Sequence, residues 1–296
     1  MRQLIITSFF YCLFGTLGKA QQHNFTNYSV TEGLAQSQVN AIVEDRHGFL
    51  WIGTSGGGLC RFDGKNFSIF TTQEGLSSNY INALLVAKDG IIWVSTNNGV
   101  NQIKDGQLIP FAGLPEGLEV HTFLQDTSEK IWFGTNKGLY VLEEKGINDF
   151  SHPYPIYALY QDEKKQIWVG GQKGLFKIEK ESLEEIRQAN GNSYRNIQSI
   201  ITTNEGVFWI AAYNQGIFLS DGQKILRKIT KSDGLVSTKI QTLAKDQLGN
   251  IWLGTADKGT VIWQSKSSAI LHLNTTQGLP NNNVKSIVED LSLIHI

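Results

Sequence analysis

Six times along the chain a tryptophan stands inside an apolar run that closes on a small residue and a glycine-bearing turn. GFLWIGTSGGGL at residues 48–59 is the first copy. GIIWVSTNNGV, EKIWFGTNKGL, KQIWVGGQKGL, GVFWIAAYNQGI and GNIWLGTADKGT follow. The tryptophans are Trp51, Trp93, Trp132, Trp168, Trp209 and Trp252, spaced by 42, 39, 36, 41 and 43 residues. Around each lie several short runs of β-branched and aromatic residues, separated by Gly, Asn and Asp; in the first unit these are residues 39–44, 49–54, 59–62 and 66–71. Runs of that length bounded by turn formers predict strands. The best helical candidate, residues 180–187, is short and mostly charged.

A period near 40 residues suits a four-stranded propeller blade or a pair of solenoid helices, and the strand pattern selects the blade. Alternate residues of a strand face opposite sides of its sheet. Trp51 and Gly53 therefore share one face while Leu50 and Ile52 share the other, as in a sheet sandwiched between two neighbours. Two residues after each Trp stand Gly53, Ser95, Gly134, Gly170, Ala211 and Gly254, all small. That leaves room for a packing partner from the adjacent blade. A phosphate-cradling loop is excluded, because no Lys-Ser/Thr and no helical pattern follows the glycines.

Six residues before Trp stand Asp45, Asp126, Asp162 and Asp246, with Gly three before Trp in most units. Asp-x-x-Gly predicts a turn whose carboxylate accepts from its own backbone N–H groups. One carboxylate per turn, some 40 residues apart, offers too few oxygens for a shared calcium ion.

The predicted fold is all-β: a propeller of four-stranded antiparallel blades, with repeats at about 28–70, 71–111, 112–150, 151–188, 189–228 and 229–273. A seventh unit starts over 274–290, where Gly278-Leu279, Val284 and Asp290 keep the register, but Ile296 stands where the next Trp is due. Residues 291–296 match no earlier unit and read as a tail of non-native character. The expectation is an incomplete seven-bladed ring, with unpaired edges prone to aggregation and an outer-type strand over 23–30 that would pair with the final blade.

Composition adds an address. Arg2, the uncharged run 4–17 and Gly18-Lys19-Ala20 read as a cleaved signal peptide over 1–20. A lipoprotein anchor at Cys12 is disfavoured by bulky Tyr11. Removing Arg2 and Lys19 leaves 24 basic against 27 acidic residues, a net charge of −3, so no basic character favours nucleic acid or anionic lipid. Cys60 remains alone, and packing rather than a disulfide must hold the fold. The glycosylation tripeptides at Asn24 and Asn27 carry no functional weight.

Gly-Leu, an apolar residue five positions on, Asp-x-x-Gly, Trp-apolar-Gly-Thr and a second Gly-Leu together resemble the two-component regulator propeller repeats. The first unit shows the whole pattern in Gly33-Leu34, Val39, Asp45, Gly48, Trp51, Gly53-Thr54 and Gly58-Leu59. Units four and five lack Gly-Leu, unit two has Ala87 for Asp, and unit five has Ala211-Ala212 for Gly-Thr. The resemblance covers essentially all of residues 28–290. It implies the extracytoplasmic input region of a hybrid sensor histidine kinase of the Bacteroidetes type. Such a region is periplasmic, tethered by a downstream transmembrane helix, and binds a glycan or other nutrient-type ligand without turnover. The partners it implies are a small-molecule or oligosaccharide ligand, the remaining kinase modules and, in the parent, a homodimer. Nucleic acid is not among them, and neither a cofactor nor a metal is called for. The phosphorelay belongs to the parent protein, so this stretch is not itself an enzyme.

Ligands of propellers are expected at the channel mouth, where blades converge. Eleven residues before each Trp position stand Asn40, Asn82, His121, Tyr157, Gln198, Gln241 and Lys285, polar in every unit among apolar neighbours. They are either exposed strand ends bonded to loop backbone or a ring of donors and acceptors facing a ligand. The strand crossings and turns on the same face contribute Tyr80, Tyr154, Tyr194, Arg195 and Tyr213. The candidate ligand contacts are Asn40, Tyr80, Asn82, His121, Tyr154, Tyr157, Tyr194, Arg195, Gln198, Tyr213 and Gln241. No residue is assigned a catalytic role, since His23, His47, His121, His152, His272 and His295 show neither metal-ligand spacing nor a nucleophilic triad. A propeller enzyme, a lyase or glycan hydrolase, remains the alternative, as does a protein-interaction platform.

Overall fold

The computed structural model describes residues 25–289, except 151, 181, 189, 190 and 268, together with the backbone of residues 294 and 295. The signal segment, Asn24 and Asp290 lie outside the described residues, as does most of the 291–296 tail.

Six four-stranded antiparallel sheets follow one another along the chain, each in simple strand order from inner to outer. The innermost strands are Val39–Glu44, Ile81–Val86, Val120–Gln125, Ile156–Gln161, Ile197–Thr202 and Ile240–Lys245. The second strands, which carry the tryptophans, are Leu50–Thr54, Ile92–Thr96, Ile131–Thr135, Ile167–Gly171, Phe208–Ala212 and Ile251–Thr255. Successive innermost strands neighbour one another, so the blades form the ring of a β-propeller. The charged segment weighed as a helix forms the outermost strand of blade 4, Ser182–Ile186, because its alternation of exposed and half-buried residues follows a strand period.

Residues 279–289 fill the place between blades 6 and 1. Gln241 Nε2 donates to Asn283 Oδ1 at 2.7 Å, Ile42 N to Ser286 Oγ at 3.3 Å, and Gln247 N to Glu289 Oε2 at 2.8 Å. The ring has six complete blades, and the segment occupies the gap where the expected seventh unit begins, with only Val288–Glu289 in strand conformation. Val288–Glu289 pairs with Ile294–His295. The expected outer-type strand before blade 1 is not formed among the described residues. Residues 25–29 run without a sheet partner, and Val30–Glu32 is a 3-10 turn capped by Ser29. Tyr28 instead packs on Phe62 and Phe67 of blade 1, while Asn27 Nδ2 donates to the Gly278 carbonyl at 3.4 Å. Side-chain packing does the bridging that a ladder was expected to do.

Every tryptophan of the series packs against the next blade. Trp51 shares a cluster with Ile81, Leu84 and Ile92; Trp132 with Ile156, Ile167 and Val169; Trp209 with Ile240, Leu243 and Ile251. Trp252 meets Leu279, Val284 and Ile287 of the seventh position. The small residue on the same face is a geometric necessity. A Cβ on Gly53 would lie 2.5 Å from Cγ2 of Ile81, and one on Gly134 would lie 2.8 Å from Cγ2 of Ile156. Ile81 and Ile156 each open the innermost strand of the following blade, and both are fully buried.

The Asp turns do more than the sequence pattern implied. Asp45 Oδ1 accepts from the backbone N–H of His47 and Phe49, while Oδ2 accepts from Trp51 Nε1 at 2.8 Å. The same carboxylate-to-indole bond recurs at Asp126–Trp132, Asp162–Trp168 and Asp246–Trp252, at 2.8, 3.0 and 2.9 Å. Three-residue hairpin loops of this kind place their last residue in the left-handed region. Gly48 and Gly249 take φ of 80° and 82°, and the non-glycine Glu129 and Lys165 are held at 67° and 66°.

Candidate functional site

Each of the six innermost strands carries a bulge at the same place. In blade 1, Val39 pairs with Thr54 and Ala41 with Gly53, leaving Asn40 without a counterpart. The skipped residues in the other blades are Asn82, His121, Tyr157, Gln198 and Gln241. These are the polar residues that precede Trp by eleven. A bulge re-aims the side chain it carries and interrupts the alternation, which is how a polar residue can stand among buried neighbours at this point. The bulge consumes one residue in each unit, and it faces the ring axis.

The six bulge residues and Lys285 converge on one central cavity of about 540 Å³. Backbone and smaller side chains complete the wall, among them Thr122, Ser199, Thr242 and Ser286, with Ile42, Leu84 and Phe123 contributing apolar surface. Among the described residues no Asp or Glu lines it. Asn40 Nδ2 donates to the Ile81 carbonyl at 2.8 Å, tying the ring to blade 2, and Lys285 Nζ donates to Asn40 Oδ1 at 2.7 Å. Gln241 is likewise tied to Asn283 and the Val284 carbonyl. The backbone-bonded reading therefore describes Asn40 and Gln241. Asn82 and Gln198 make no side-chain hydrogen bond among the described residues and keep their amide groups for whatever fills the cavity. His121 and Tyr157, from adjacent blades, have ring centroids 5.5 Å apart. Burial lowers the His121 pKa below its ordinary 6.5, opposed by the nearby Glu119 carboxylate. Burial also raises that of Tyr157 and lowers that of Lys285.

The remaining candidates do not line this cavity. Tyr194 lies in the core, fully buried against Phe218, and its hydroxyl has no partner. A crossing loop on this face dips between blades, and its aromatic residue is used for packing rather than display. Tyr80 is half exposed beside Gly56, Tyr154 is exposed with Lys173 Nζ 5.1 Å from its ring centroid, and Arg195 is exposed. Tyr213 is partly buried in the turn after the second strand of blade 5. Lys285, absent from the candidate contacts although it shares their register, belongs with the bulge residues. Among the described residues no group of three or more His, Cys, Asp or Glu converges, and no helix is long and apolar enough to cross a membrane.

The two-component regulator propeller family matches residues 33–56, 75–98 and 234–257. Each window runs from the Gly-Leu of a crossing through the innermost strand, the turn and the Trp strand. Three of the six blades thus match the two-component regulator propeller repeat, and the other three share its architecture. Comparison with curated proteins gave no match. Among solved structures, the extracellular domain assigned to the hybrid two-component system BT3049 of B. thetaiotaomicron superposes with a TM-score of 0.77 at 23% identity. The match covers 88% of this chain and 38% of that one. The repeats described here thus span well under half the length of that domain. Virginiamycin B lyase from Staphylococcus aureus superposes at 0.62 and 14% identity, over 80% of this chain and 84% of the lyase. PorZ, a surface component of the type-IX secretion system of Porphyromonas gingivalis, gives 0.60 at 16% identity, covering 77% and 38%. At these identities the likeness is one of fold.

Proposed function

We propose that this propeller is the exported input module of a hybrid two-component sensor, binding a glycan or similar polar nutrient in its central channel without turnover. The observation that carries the reading is the coincidence of a repeated bulge with a repeated polar residue. A structural bulge could carry any small residue, whereas all six here aim a hydrogen-bonding side chain at one cavity. Amides, an imidazole and a phenol in a wall with apolar patches suit a sugar, which offers hydroxyls around its edge and C–H groups on its faces. The three windows that match the two-component regulator propeller repeat and the extracellular sensor domain of similar fold support the sensing role. The leader-like first twenty residues support export. The kinase modules, a periplasmic setting and a membrane tether belong to the proposed parent protein.

The test is calorimetric titration of the chain with a panel of oligosaccharides. A bound member should lose affinity at least tenfold when Asn82 and Gln198 are both replaced by Ala, since each would leave a ligand hydroxyl unpaired in the channel. Retained affinity in the double variant would move the site elsewhere. The His121–Tyr157 pair, together with the fold shared with a lyase, favours turnover as the second reading. Product formed from a bound sugar, and lost in His121→Ala, would establish it.

A further inference from the structure

The wall of the channel is neutral except at one point. Lys285 Nζ reaches the cavity from the segment after blade 6, half-buried, and its one side-chain hydrogen bond among the described residues is to the amide oxygen of Asn40. Among the described residues it forms no ion pair. Among the described residues, neither the channel nor the adjoining cavity of about 640 Å³ between blade 1 and residues 279–286 has a carboxylate in its wall, and Lys285 lines both. Glu289, the next acid along the chain among the described residues, lies four residues on and accepts from the backbone N–H of Gln247. The carboxylate acting on another bulge residue is Glu119 beside His121, three blades round the ring. A half-buried cation without a counter-charge is a costly arrangement unless something completes it. Asn40 aims Lys285 without neutralising it, which leaves the ammonium group two donors for an acceptor that arrives from outside.

We infer that the channel ligand is anionic, an acidic oligosaccharide or comparably small polar anion, and that Lys285 is the residue that selects its carboxylate or sulfate. This rests on the channel-binding reading above. The surrounding amides of Asn82, Gln198 and Gln241 then hold the neutral hydroxyls, and the charge is recognised at one edge of the ring. A single charge-assisted hydrogen bond in a half-buried site is strong enough to discriminate between a sugar and its uronic-acid counterpart.

The experiment uses the chain on a glycan array that holds neutral oligosaccharides beside their uronate and sulfated counterparts, followed by titration of the strongest binder. The expected result is retention of acidic members, with about tenfold or greater loss in Lys285→Gln. Lys164→Gln, a change in an exposed turn on the opposite face, should leave binding unaltered. The melting temperature of each variant guards against misfolding. Should the bound members be neutral, or should Lys285→Gln bind acidic and neutral sugars as the parent does, the charge inference falls while the channel reading stands. No binding to any member would overturn the channel reading and this inference with it.

Discussion

The carboxylate of Asp126 bonds at once to its own turn and to the indole of Trp132. Oδ1 accepts from the backbone N–H of Ser128 and Lys130 at 2.8 and 3.1 Å, and Oδ2 accepts from Trp132 Nε1 at 2.8 Å. The turn thereby fixes the ring that wedges against Ile156 and Val169 of the next blade. Local turn chemistry and contact between blades are joined through one buried side chain.

Replacing Asp126 with Ala should therefore cost about 3 kcal/mol, because it strands an indole N–H and two backbone donors in a largely buried place. Blade 5 supplies the comparison. At the equivalent position Thr203 Oγ1 accepts from Val207 N at 3.2 Å and also bonds the exposed Glu205 carboxylate, so Thr203→Ala should cost about 1 kcal/mol. Denaturant unfolding of both variants reads the difference. Equal losses would mean that the indole bond contributes nothing.

Much of this was legible in the sequence because it is written six times. The strands predicted for blade 1 agree with Val39–Glu44, Leu50–Thr54, Leu59–Phe62 and Phe67–Phe70 to within a residue at each end. The role of the small residue after Trp was also legible, since strand alternation alone puts Gly53 beside the indole. The Asp-to-indole bond is not legible there, although Asp precedes Trp by six in four units. The pattern keeps Trp where Ala87 and Thr203 replace the acid, which hides the dependence. The bulge was illegible for another reason: it is a property of pairing between strands, and no single strand announces it. Tyr194 is a loop residue in the sequence, where display is the expectation, whereas packing between blades 4 and 5 uses its ring.

The wall met by Gly53 makes a second measurable claim. Gly53→Ala would press a methyl group onto Ile81, which is fully buried and cannot retreat without moving blade 2. Overpacking of this kind costs about 1–3 kcal/mol. Blade 5 lives with Ala211 at the equivalent place, so Ala should be survivable and Gly53→Val far worse. A Val variant as stable as the parent would show that the blades do not touch as described.

Acidification should weaken the fold through two partly buried imidazoles. His121 and His152 have pKa values lowered by burial, below the ordinary 6.5 that they regain on unfolding. Below about pH 6.5 the unfolded chain takes up protons that the folded chain refuses, so stability falls with pH until the folded values are passed. Melting temperatures measured from pH 7.5 to 5 should drop, and His121→Gln should flatten part of that slope despite the opposing pull of Glu119. An unchanged slope in the variant would place the acid sensitivity elsewhere.

Tyr194 offers the cleanest separation of packing from binding. Its ring meets Phe218 at 5.0 Å between centroids within a cluster that includes Trp168, Ile197 and Phe208, and its hydroxyl is buried without a partner. A buried hydroxyl that bonds to nothing has lost its water and gained no replacement. Removing it in Tyr194→Phe keeps the ring contacts and deletes the unsatisfied group, so the variant should be as stable as the parent or more so, by up to about 1 kcal/mol. Tyr194→Ala deletes the ring as well and should cost about 3–5 kcal/mol, as large aromatic truncations in cores do. Neither outcome depends on a ligand, because the side chain does not reach the channel. If Tyr194→Phe lost stability while Tyr194→Ala was tolerated, the ring would not be in the core. If Tyr194→Phe lost oligosaccharide binding at unchanged stability, the hydroxyl would belong to a site and not to the packing between blades 4 and 5.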